Sequence, residues 1–329
     1  MSLNLLKKLQ VSFLSFGSKK IIIIAFDFFS FSERTSCIFM TGGCRSRPED
    51  YTVEILGRDI ISKKCPSLPL EIVGSTMFLH DGNIFVCGGN RNENKCLQLS
   101  HGTWKDHSTL KKERVRHSSA TTQIATFVFG GAQSPRTYEY LPKDSTTWFM
   151  GKTKIPSDFY DGCAIAVKSN QEILLIGAIG GGFVNRKRIL SFNVYDHTFQ
   201  VLPLQLNVER RSFACAFIPN TNKVMISGGY NINEDYLDST EIIDPEDGSV
   251  AMASPMNFKR CGHGLGVITI NGEDRLVAFG GSERHVDHDS VEVYNHQTNR
   301  WETTNIKLKG AKSDFGFLNL KLSDVISNL

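Results

Sequence analysis

At 329 residues the chain is long enough for two average domains or one large repeat domain. Hydrophobic residues make up 40% and charged residues 22%, which excludes wholesale disorder, and a formal charge of +3 is too balanced for a dedicated nucleic-acid binder. No apolar run reaches the roughly 18 residues of a membrane-spanning helix, so neither nucleic acid nor membrane is an expected partner.

In chain order, residues 1–20 read as a tail with a short helix over 3–14. Lys7 and Lys8 interrupt its apolar stretch, so it makes no clean secretory signal. A β-type run follows from Ile21 and ends at Asp27. The eight cysteines are scattered without a CxxC pair, and several sit inside apolar runs, where cysteine packs as a small hydrophobe. No Asn-x-Ser/Thr sequon occurs. A cytoplasmic chain with reduced cysteines is expected, since a core of this size does not need disulfides.

From residue 37 onward a short hydrophobic run ending in glycine recurs. The pairs are Gly42-Gly43, Gly88-Gly89, Gly130-Gly131, Gly228-Gly229 and Gly280-Gly281, with an imperfect copy at Gly177-Ala178. The first glycines stand 42 to 52 residues apart, which implies six similar supersecondary units. Upstream lies an alternating segment opened by a basic residue and, three positions later, a ring or small residue. Arg114 precedes His117, Arg210 precedes Phe213, and Arg260 precedes His263. Downstream comes a third strand, such as Ser290-Val-Glu-Val-Tyr294, with counterparts at Thr137-Tyr-Glu-Tyr-Leu141, Ser239-Thr-Glu-Ile-Ile243, Ser191-Phe-Asn-Val-Tyr195 and Tyr51-Thr-Val-Glu-Ile55. A fourth strand opens with Trp104, Trp148 or Trp301. Four short strands per unit describe one blade of a β-propeller.

At these residues the chain resembles the kelch-repeat family: glycine pair, then a tyrosine, then a tryptophan about seven residues on. Tyr294 with Trp301 reproduces the motif fully, and the resemblance runs over about residues 35–320. It implies an all-β, six-bladed propeller of four-stranded antiparallel blades. We divide the chain into a tail at 1–20, the propeller at 21–322 and a short tail at 323–329. The stretch from Lys312 to Leu322 has the opening strand of a repeat and nothing after it, so it is expected to close the ring by completing blade 1. The run from Ile21 is the competing closing strand. The first glycine pair, at residue 42, leaves no room for a preceding BTB domain, so a propeller without one is expected.

The glycines, tryptophans and Tyr294 read as structural. No P-loop, G-x-S-x-G elbow or catalytic triad is evident, and no cofactor or metal is implied. The one histidine–carboxylate cluster, His285-Val-Asp287-His288-Asp289, reads as a polar loop. Binding is the better expectation. Loops after the glycines carry Arg45, Arg47, Asn90, Arg91, Arg136, Arg186, Arg188, Tyr230, Asn231 and Arg284, and Arg211 sits between blades. A ring of arginines suits carboxylates, so an acidic partner peptide on this face is expected. The repeat-opening Arg114, Arg210 and Arg260 either join that ring or brace neighbouring loops. The resemblance implies a non-catalytic adaptor or scaffold for a protein or peptide ligand, with substrate recruitment to a ubiquitin ligase as a finer version. A metal- or sugar-dependent enzyme and an actin-associated structural protein are the alternatives.

Overall fold

The computed structural model describes residues 10–16, 19–25, 35–41, 43, 54–56, 66–69, 72–90, 94–177, 186–231, 233 and 235–328. Six antiparallel sheets follow one another along the chain, as the repeat requires. Five have four described strands each, in sequence order from the inside outwards. Their inner strands are Thr76–His80 in blade 2, Ser118–Thr121 in blade 3, Cys163–Val167 in blade 4, Ala214–Phe217 in blade 5 and Gly264–Ile270 in blade 6. In blade 1 the C-terminal strand Gly316–Lys321 pairs antiparallel with Ser36–Thr41, which pairs in turn with Glu54–Leu56. The ring is therefore closed by the C-terminus. The run from Ile21 is used elsewhere. As Lys19–Ala25 it forms a hairpin with Gln10–Phe16, a strand in place of the expected N-terminal helix.

Each second strand is sandwiched between neighbouring blades and is apolar on both faces. Phe127, Val128 and Phe129 of blade 3 are all fully buried. The tryptophans fill the wedge between blades. Each packs on the preceding blade: Trp104 meets Phe39 edge-on at 6.5 Å, Trp148 meets Phe78 at 6.0 Å, and Trp301 packs with Met225. Within its own blade Trp301 lies 5.1 Å from Tyr294. The terminal helix Leu322–Asn328 locks the closure. Asn328 accepts from the Ile84 amide and donates to the Gly82 carbonyl, tying blade 1 to blade 2.

Gly130 shows why the second strand must end in glycine. Its φ is +66°, and an added Cβ would collide with the Phe159 carbonyl from the next blade. The Gly131 amide then donates to that same carbonyl at 2.9 Å. Blade 4 departs from the expected alignment. Its third strand is Arg188–Asn193, so Phe192 faces Ile173 as Tyr294 faces Leu276, and Tyr195 is left 66% exposed.

Among the described residues two cysteine pairs are bonded, contrary to the expectation of free thiols. Cys87 and Cys96 are direct cross-strand partners, and Cys163 and Cys215 join the inner strands of blades 4 and 5. The second pair, 52 residues apart, spans about one repeat and occupies near-equivalent positions in adjacent blades. Cys37 and Cys261 remain thiols.

Candidate functional site

The described loops after the glycines and the connections between blades emerge on one face and are hydrogen-bonded together there. The Gly89, Gly229 and Gly281 amides donate to the carbonyls of Arg114, Arg260 and Lys312, and Arg211 exchanges both backbone bonds with Tyr230. At the centre of this face, six equivalent turn residues close a ring. Gly74, Arg116, Asp161, Ser212, Gly262 and Asp314 all have positive φ. Each donates its amide to the carbonyl of the preceding member, at 2.8–3.1 Å, and Gly74 completes the circle through Asp314. Four of the six carry side chains in a conformation that L-residues rarely adopt.

That ring frames the mouth of the central channel. A cavity of about 140 Å3 lies at the mouth and one of about 450 Å3 deeper in. Arg116, Asp161 and Asp314 gather at the mouth, with Arg116 Nη1 3.5 Å from Asp161 Oδ2. Burial pushes the Asp161 carboxyl up, against the opposing pull of Arg116. Burial likewise raises Asp314, with Arg116 again opposing and Asp287 adding to the rise. Beside them Arg211 lies 4.2 Å above the Tyr230 ring. The Cys261 thiol is pushed up to about 11, chiefly by burial. It is therefore a poor nucleophile at neutral pH.

One turn below, His117, Phe213, His263 and Phe315 take equivalent positions in blades 3, 5, 6 and 1. Burial holds His117 neutral, down to about 3, helped by Arg114, and His263 behaves alike near Arg260.

The repeat-opening arginines brace the blades. Arg114 meets Glu139 at 3.0 Å, Arg210 meets Glu241 at 2.8 Å and Arg260 meets Glu292 at 3.0 Å, all six side chains fully buried. Each arginine also donates to the carbonyl of its blade's first glycine. Each glutamate accepts from backbone amides of the incoming chain, such as those of Asn207 and Val208 on Glu241. Lys312 with Glu54 repeats the arrangement in blade 1 at 3.2 Å. In blades 2 and 4 the same two positions hold Ile72 with Leu97 and Phe159 with Leu190, inside the apolar clusters.

The other expected binding residues fall into three groups. Arg45, Arg47 and Arg91 lie outside the described residues. Several of the rest are engaged internally. Asn90 Oδ1 accepts from the Val73 amide, Arg136 donates to the Ile155 and Pro156 carbonyls, and Asn231 Oδ1 accepts from the Asn233 and Asp235 amides. Arg186 is 7% exposed and 3.8 Å from Glu209, so it belongs to the framework and not to a free rim. Arg188 and Arg284 face solvent, Arg284 at the tip of a two-residue hairpin turn with His285. The 285–289 loop disperses its candidate ligands. Asp287 accepts from Ser313, His288 packs on Phe258, and Asp289 pairs with Lys307.

Comparison with known proteins agrees with this geometry. The Kelch motif matches residues 259–305, which is blade 6. The F-box/kelch-repeat protein SKIP20 of Arabidopsis thaliana is 32% identical over 100 residues, 30% of this chain and 23% of that protein. The chain is a six-bladed β-propeller whose sixth blade carries a Kelch motif. Its fold is also that of the solved structure of YjhT, with a TM-score of 0.66 at 10% identity over 77% of this chain and 89% of that one. The kelch propeller is generally an interaction fold, and among the described residues no helix is long and apolar enough to cross a membrane.

The mouth itself was missed by sequence reasoning. Asp161 and Asp314 share one signal with Arg116: all stand two residues after the repeat-opening position.

Proposed function

We propose that this propeller is a non-catalytic interaction module that holds an extended segment of a partner protein across its loop face. The observation that carries the reading is the convergence of all six inter-blade turns on a narrow, charged mouth, with Arg188 and Arg284 open to solvent around it. Acidic groups of the segment meet these arginines, whose planar forks suit carboxylates. The segment buries little apolar surface, so charge sets register and on-rate more than affinity. Full-length chain and an Arg188→Glu/Arg284→Glu variant, compared by affinity capture and mass spectrometry, test this. Both positions are exposed, so the variant keeps the wild-type melting temperature. Loss of specific partners from the variant supports the reading, and identical partner sets contradict it.

Delivery of that partner to a ubiquitin ligase is a finer version. The F-box/kelch relative is compatible with it, although the match spans 23% of that protein. Ligase subunits among the captured proteins would support it.

A further inference from the structure

We propose that the channel mouth receives one positively charged side chain, a lysine ammonium or an arginine guanidinium, from the partner segment. The inference rests on the interaction reading above and adds the chemistry of its central position. It conflicts with a uniformly acidic ligand: acidic groups suit the rim, and a cation suits the centre.

Charge at the mouth favours a cation. The charged side chains that line it are Asp161, Asp314 and Arg116. Two carboxylates beside one guanidinium leave one negative charge uncompensated at the mouth. A cation restores balance, whereas an anion would meet both carboxylates at close range.

One oxygen of Asp161, Oδ2, is also short of a donor. Its side chain is 5% exposed and lines the mouth cavity, yet Oδ2 makes no hydrogen bond. Arg116 stands 3.5 Å from that oxygen, close enough for charge attraction but outside good hydrogen-bond geometry. A buried carboxylate oxygen short of donors is costly, and an incoming N–H supplies what it lacks.

The space matches one side chain. Gly74 and Gly262 bring no side chain to the ring, and Asp314 Oδ1 lies directly over Gly262. Its carboxylate therefore faces Asp161 across an opening of about 140 Å3, enough for the end of one extended side chain and not for a folded element.

The test is selection of a random 12-residue peptide library on the full chain, on the Asp161→Asn/Asp314→Asn variant, and on the Arg188→Glu/Arg284→Glu variant. The wild type is expected to enrich peptides with Lys or Arg at one fixed position. Replacing that residue by norleucine in a selected peptide should weaken titrated binding at least tenfold. The double Asn variant should lose the preference and give equal affinities for the two peptides, while the rim variant keeps it. Enriched peptides with no fixed basic position overturn this inference and leave the interaction reading standing. Enrichment of no peptide at all overturns both. Because the wild-type selection decides alone, a misfolded variant does not blunt the test.

Discussion

Arg260 and Glu292 face each other at 3.0 Å with neither side chain exposed, and the arginine's other donors reach the carbonyls of Gly280 and Ser290. The pair joins the entry of blade 6 to its second and third strands. Removing one partner leaves an uncompensated buried charge, so Glu292→Ala should cost roughly 3–5 kcal/mol in urea unfolding. The double change Arg114→Ile/Glu139→Leu should cost far less than either single change. Blade 2 already has Ile72 and Leu97 at those positions. A double variant as unstable as the singles would contradict this.

Acid should destabilise the ring through its histidines. His117 and His263 titrate at about 3 in the fold, below their ordinary 6.5. Between those values the unfolded chain binds protons and the fold does not, so stability falls as pH drops through that window. The slope is about 1.4 kcal/mol per pH unit for each histidine. Asp161 and Asp314 oppose it, since their raised carboxyls take up protons more readily in the fold. His117→Phe, which copies the ring found at Phe213 and Phe315, should flatten the dependence of melting temperature on pH.

A non-reducing digest should yield the Cys87–Cys96 and Cys163–Cys215 cross-linked peptides. By loop entropy, the pair closing the longer loop contributes about 4 kcal/mol and the shorter about 2.5 kcal/mol. Cys163→Ser should therefore lower the melting temperature more than Cys96→Ser. The reverse order would show that the inter-blade bond does not constrain the unfolded chain.

Two glycines with similar φ should respond differently to alanine. Gly130→Ala drives a methyl into the Phe159 carbonyl, and Gly272→Ala meets nothing within 4 Å. The second incurs only backbone strain, about 1–3 kcal/mol, and the first adds the collision to that strain. Equal losses in thermal unfolding would mean that the blade 3–4 junction yields easily.

The propeller was legible because its framework recurs in residue type. Glycine pairs, tryptophans and most repeat-opening cations announce themselves at a step of 42 to 52 residues, and the unfinished repeat after Lys312 located the closing strand. The mouth was not legible, because its six positions share a backbone conformation and not a residue type. Gly74, Arg116, Asp161, Ser212, Gly262 and Asp314 look unrelated until the ring of hydrogen bonds aligns them. The arginines misled for a related reason. Sequence shows the charge of Arg186 and Arg188 alike, but only packing reveals that one is buried beside Glu209 and the other faces water.

Hydrogen exchange on the full chain, with and without a captured partner, tests most directly whether the loop face is where a partner is held. Binding there should slow exchange at the ring amides of Arg116, Asp161, Ser212 and Asp314 and in the Arg284 hairpin. The turns at Gly82, Gly248 and Gly272 should remain unchanged. Protection confined to those last turns would place the partner elsewhere and contradict binding at the mouth.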